Sequence, residues 1–144
     1  MKNAFVKTYE LVKTLDARID AATTDDERNA IRNEYEDATA WIDKQGGFTH
    51  TIWNNCRHAL DNGNSLIDLN CSISRKNIVH VVECLRKNGV TEFTFSSTWN
   101  GAVDTAWFLQ QNGCILSGIV EIRGDRILFT TEHEKIHAYL FKLN

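Results

Sequence analysis

Much that would give a chain away is missing from these 144 residues. There is no proline, an absence that by itself excludes nothing. No apolar run approaches the ~18–20 residues a membrane-spanning helix needs, so a protein of that kind is not expected. The opening MKNAFVKTYE has neither an apolar h-region nor a small-residue cleavage site, so no secretory signal is expected and the cytoplasm is the expected location. A basic excess is missing too. Net charge is −3 with a pI of about 5.9, whereas nucleic-acid binders usually carry a basic stripe and a domain pI above ~9. Direct binding of DNA or RNA is therefore not expected. Cys56, Cys71, Cys84 and Cys114 stand singly, without a C-x-x-C pair, which argues against zinc-knuckle and thioredoxin-type sites and for inert thiols.

What is present describes one domain over residues 1–144, long enough to bury a core without staples. It divides into a helical part, 1–62, and an α/β part, 63–144. Residues 1–45 hold ten Asp/Glu against seven Lys/Arg, while the rest hold nine of each. Three helices are expected first. Phe5, Tyr9, Val12, Leu15 and Ile19 recur at helical steps along one face. Thr24-Asp25-Asp26-Glu27 has the form of a capping box, which would start a second helix. That helix would bury Ile31, Tyr35, Ala38 and Ile42 and stop at Gly46-Gly47. A third carries Ile52, Trp53, Cys56 and Leu60.

The later chain holds a regularity. Three times a helical pattern ends in Leu, then polar residues, then Asn-Gly, then a β-like run, with Gly63, Gly89 and Gly113 in the cap position. Glycine just past a helix end takes the left-handed conformation that closes the C-terminus. Helix, cap and strand in succession predict β-α-β-α-β with parallel neighbours and right-handed crossovers. The strands alternate, Ile67 and Leu69 against Asp68, Phe93 and Phe95 against Glu92 and Thr94. They therefore suit a sheet with one well-packed face better than one buried on both sides. After a strand over 115–122, Arg123-Gly124-Asp125-Arg126 is expected to turn the chain, and 136–143 to return antiparallel. The expected class is α/β (α+β): N-terminal helices followed by a β-α-β-α-β-β two-layer sandwich with a small, mostly parallel sheet.

Four features invite a functional reading. Ser96, Ser97 and Thr98 lie between a strand and a helix, where hydroxyls bind anions or cap the helix. Glycines and a lysine of a phosphate loop are lacking, as are glycines flanking a nucleophilic Ser, so the cap is favoured over an anion site. His133-Glu134-Lys135-Ile136-His137 matches H-E-x-x-H, which on a helix binds zinc. Here no third ligand follows, and the alternation of 136–143 fits a strand, on which the two His would stand ~13 Å apart. No metal and no cofactor are expected. Asp104 and Glu121 are candidate paired carboxylates that nothing in the sequence brings together. Lastly, Asp16, Asp20, Glu34 and Glu36 form part of an acidic helix face, either a solvated surface or a contact for a basic protein.

The run Phe93-Thr94-Phe95-Ser96-Ser97, then Gly113, Gly118-Ile119-Val120-Glu121-Ile122 and the tail Glu134-Lys135-Ile136-x-Ala138 resembles a family of small uncharacterised proteins carried on plasmids, phages and conjugative elements of Firmicutes. The resemblance covers about residues 91–144. It implies a non-enzymatic, protein-binding accessory of a mobile genetic element, in a setting where inhibitors of host defence nucleases, anti-CRISPR proteins among them, are common. The partner so implied is a protein, in particular a nucleic-acid-binding one. The alternative is a small-ligand or anion-binding enzyme using the Ser96–Thr98 edge.

Overall fold

A computed structural model describes residues 2–70, 73–98 and 100–144. Helices α1 (Ala4–Ala21) and α2 (Asp25–Gln45) form a helical hairpin. Asn3 caps α1 by accepting the Val6 N–H at 3.0 Å. Thr24 caps α2 by accepting from Glu27 at 3.2 Å, but the Glu27 carboxylate returns to the N–H of Thr23, one residue earlier than a capping box requires. Of the α1 stripe, Phe5, Val12 and Leu15 are buried while Tyr9 and Ile19 are only half-buried. Thr8 takes the inner place of Tyr9, donating to the Ala4 carbonyl and accepting from Trp41 Nε1 at 2.9 Å. Tyr9 instead reaches outward with its hydroxyl to Asp61 at 2.7 Å.

Helix α3 (Thr49–Asp61) buries Ile52, Trp53, Cys56 and Ala59. Helix α4 (Ile78–Lys87) buries Ile78, Val81, Val82 and Leu85, a pure i, i+3, i+4, i+7 stripe. Besides the Asp61 contact, the hairpin is fastened to this body at Asn88. Asn88 and Gln45 exchange side-chain amide bonds at 2.9 and 3.1 Å, and the Asn88 carbonyl accepts the Ala4 N–H at 3.0 Å.

The three cap glycines behave as expected. Gly63, Gly89 and Gly113 follow α3, α4 and α5 (Ala102–Gln111) with φ of 91°, 79° and 88°. Val90 N–H reaches Leu85 O, and Asn64 N–H reaches Ala59 O, both at 3.0 Å. These are the six-to-one bonds that close a helix around a left-handed residue.

The sheet departs from expectation. Its strands are β1 (Glu92–Phe95), β2 (Cys114–Arg126) and β3 (His133–Leu143), in the order β1-β3-β2, with both pairings antiparallel. The mostly parallel β-α-β-α-β sheet does not form. Residues 65–70 contribute a single parallel bridge, Asp68 to Thr94, with Leu69 N–H donating to Thr94 O at 2.7 Å and Thr94 N–H to Ile67 O at 2.9 Å. The crossover through α5 carries β2 past β1 and leaves a slot one strand wide, which β3 fills. The side chains explain that choice. β3 has Ala138, Phe141 and Leu143 buried with Tyr139 and Leu140 half-buried, so both its faces are covered, as a central strand requires. In β2, by contrast, residues 115–119 are all exposed, as befits an edge.

The turn also moves. Arg123-Gly124-Asp125-Arg126 lies inside β2, and the chain reverses at 127–132. At Arg123 the open edge of β2 is occupied by a side chain. The Asn64 amide donates to Arg123 O at 2.7 Å and accepts the Arg123 N–H at 2.9 Å, the pair of bonds a neighbouring strand would make. Among the described residues no helix is long and apolar enough to cross a membrane.

Candidate functional site

Between α3 and the end of the sheet lies a polar cleft of about 180 Å³. Asn55, His58 and Ala59 of α3 line it together with Ile122 of β2, Ile136 of β3, Asp68 and Ser96. Helical periodicity turns Asn55 and Ala59 the same way, and strand periodicity lifts Asp68 to the side opposite buried Ile67 and Leu69. The Asp68 carboxylate accepts the Thr94 hydroxyl at 2.7 Å and the Ser96 hydroxyl at 2.5 Å. Burial pushes this carboxyl above the usual carboxylate range, against the opposing pull of those two bonds and of the Ser96 N–H. His58 Nε2 stands 3.0 Å from Asp125 Oδ1.

This arrangement holds a charge; it does not assemble a nucleophile. Ser96 donates its hydroxyl hydrogen bond to a carboxylate, and the nearby imidazole is turned to Asp125, so the serine-to-imidazole bond that activates a hydroxyl is not made. The strand–helix edge separates the three hydroxyls predicted together. Ser96 enters the cleft, Ser97 lines a different hollow beside Phe95, Ile119 and Tyr139, and Thr98 is exposed. The cap reading is corrected here. Helix α5 begins after Gly101 with no side-chain cap bond, because the hydroxyls end several residues short of its first turn.

His133 and His137 both lie on β3, the strand geometry argued from alternation, and His133 Nδ1 is 2.8 Å from Gly124 O. Among the described residues no group of three His, Cys, Asp or Glu is placed to hold a metal ion. Burial keeps two of the thiols protonated. Burial, with the Asp61 charge, raises Cys56 to about 12, and burial raises Cys114 to about 11 despite the Arg86 guanidinium. Cys71 lies outside the described residues. Asp104 on α5 and Glu121 on β2 are both exposed, and among the described residues neither forms an ion pair.

Of the acidic face, Asp16, Asp20 and Glu36 are exposed, and Glu34 bridges to Arg18 across the helical hairpin at 2.8 Å. Charge is concentrated here. Residues 16–37 hold eight Asp/Glu against three Lys/Arg, a net of −5 in a chain whose total is −3. One feature escaped sequence reasoning, the apolar tip of the β2–β3 hairpin. Ile127, Leu128 and Phe129 are exposed in succession, Phe129 fully so at 103%. Placing the turn at 123–126 hid the signal, which was three consecutive apolar residues with no alternation to bury them.

These features define a mixed α+β domain with an acidic helical hairpin, a polar cleft and an apolar hairpin tip. The chain belongs to a family described as Domain of unknown function (DUF7698), matched over residues 51–143. That span begins inside α3 and takes in the cleft and the whole sheet, leaving α1 and α2 outside it. No curated protein and no solved structure matches the chain.

Proposed function

We propose that the protein is a non-enzymatic, protein-binding accessory of a mobile genetic element, and that it binds a host defence nuclease through the tip of its β2–β3 hairpin. The observation that carries this reading is Phe129, fully exposed and at φ 63°. A buried Phe side chain is worth about 1.5–3 kcal/mol of stability, and this one gains none of it. Its left-handed backbone costs a further ~1–2 kcal/mol. The fold therefore has no use for a phenylalanine here.

The turn nevertheless holds its shape. Ile127 N–H donates to Glu132 O at 2.8 Å, Thr130 N–H to Ile127 O at 3.1 Å, and Arg126 Nε to Thr130 O at 2.7 Å. An aromatic anchor presented on an ordered turn reaches a partner with little ordering left to do. The charge of residues 16–37 supports a basic partner, such as a protein that handles nucleic acid, with Asp16, Asp20, Glu34 and Glu36 steering the encounter. The mobile-element setting rests on the resemblance of residues 91–144.

In cells whose RNA-guided nuclease is programmed against a resident plasmid, expressing the chain should preserve the plasmid. The Leu128→Ser, Phe129→Ser double variant should lose that protection with an unchanged denaturation midpoint. Lysine at Asp16, Asp20, Glu34 and Glu36 should weaken it. Full protection by the double variant would remove the hairpin from the mechanism. Failure to protect against RNA-guided and restriction nucleases alike would overturn the target.

A further inference from the structure

We infer that the cleft between α3 and the sheet is a binding site for a guanidinium group, held by the Asp68 carboxylate. Asp68 lines the cleft, and its two oxygens receive the hydroxyls of Thr94 and Ser96. Among the described residues it forms no ion pair. A carboxylate withdrawn from water is relieved by a proton or by a charged partner. Neither of the two basic side chains lining the same cleft pairs with Asp68. His58 faces Asp125 at 3.0 Å, and the Arg123 guanidinium lies over Gly63, where an added Cβ would meet Nη1 at 2.8 Å.

The space suits a flat cation. Ala59, Ile122 and Ile136 offer apolar surface to the faces of a guanidinium, while carboxylate and amide oxygens take its N–H edge. The cleft volume of about 180 Å³ accommodates such a head group but not a large ligand. A divalent metal would need several anionic ligands together, and among the described residues no such group of three exists. The guanidinium can arrive as a free small molecule or as an arginine side chain of another protein.

Both sources are tested by titrating the full chain, labelled with ¹⁵N, with methylguanidinium and with N-acetylarginine amide at neutral pH. Saturable shifts centred on His58, Asp68 and Ser96 are expected. Comparable affinity for the two probes indicates that the head group suffices, and tighter binding of the amide indicates an arginine in a peptide chain. Asp68→Asn, which keeps the shape and one acceptor, should weaken binding roughly tenfold or more, as loss of a charge-assisted bond does. The unmodified chain supplies a second measurement. A guanidinium stays charged on acidification while Asp68 gains a proton, so affinity should fall; His58, Arg123, Asp125 and Glu134 are the other ionisable groups facing the cleft. Shifts that never saturate, equal affinity in Asp68→Asn, affinity independent of pH, or saturation of the same residues by inorganic phosphate would each overturn the assignment.

Discussion

Two hairpins leave the body of this protein, one helical and one of β structure, and they finish differently. In the helical one, Leu15 and Ile31 are buried apart from the main core cluster, and Arg18 meets Glu34 across the outer half. What it offers to water is charge. In the β hairpin the tip is closed by backbone bonds, yet Leu128 and Phe129 are left in solvent at 80% and 103% exposure. Polar residues were at hand on either side, Arg126, Thr130, Thr131 and Glu132. The difference teaches that the apolar tip is not a shortage of polar sequence. One hairpin spends its apolar residues on itself, the other withholds them.

The comparison can be broken at the base of the helical hairpin. Asn88→Ala removes both amide bonds to Gln45 and leaves half-buried polar groups without them. The cost should be about 2 kcal/mol in urea denaturation, with faster hydrogen exchange at the start of α1. A loss below about 0.5 kcal/mol, the size of a neutral surface change, would mean that apolar packing alone fixes the hairpin. At the other end, Phe129→Gly relieves the left-handed backbone and should raise stability by up to about 1 kcal/mol. Destabilisation of that size would show that Phe129 serves the fold after all.

A smaller effect comes with pH. Burial alone would push Asp61 up, but the Lys13 ammonium and Tyr9 hydroxyl bonded to it hold it below the usual carboxylate range. Its contribution is present above the ordinary carboxylate range and is lost as pH falls through the lowered value. Asp68 runs the other way. Its raised pKa gives stability that is complete below the ordinary range and lost as pH rises through the raised value. Acid should thus loosen the base of the helical hairpin while tightening the sheet. Asp61 is about half exposed, so its share is a few tenths of a kcal/mol. Denaturation of Asp61→Asn and Asp68→Asn between acid and neutral pH should show slopes changed in opposite directions; a shared sign would refute the assignment.

Local structure was legible where local chemistry decides it. Thr24 and Gly46 bound α2, and Gly63, Gly89 and Gly113 end their helices because only glycine takes positive φ cheaply. Strand neighbours were not legible from the same repeat, since helix–cap–strand fixes direction but leaves open what enters between. The clue lay in residues 138–143, apolar in both parities and so suited to the centre, against the exposed 115–119. The cleft was half legible. Ser96 was singled out, but its partner Asp68 is 28 positions away and meets it only through the bridge to Thr94. The separation of Ser97 and Thr98 from it follows from strand alternation, which the expectation of a cap had set aside.

Asn64 has one more consequence. Backbone groups of alternate residues along an edge strand point the same way, so Ile119 and Glu121 direct theirs outward as Arg123 does. A chain growing along β2 by strand addition would meet the Asn64 amide after those two residues and find the next rung already taken. Sheet edges template further strands unless interrupted. A single carboxamide, rooted just beyond α3, thus shortens the stretch of β2 along which another strand can pair.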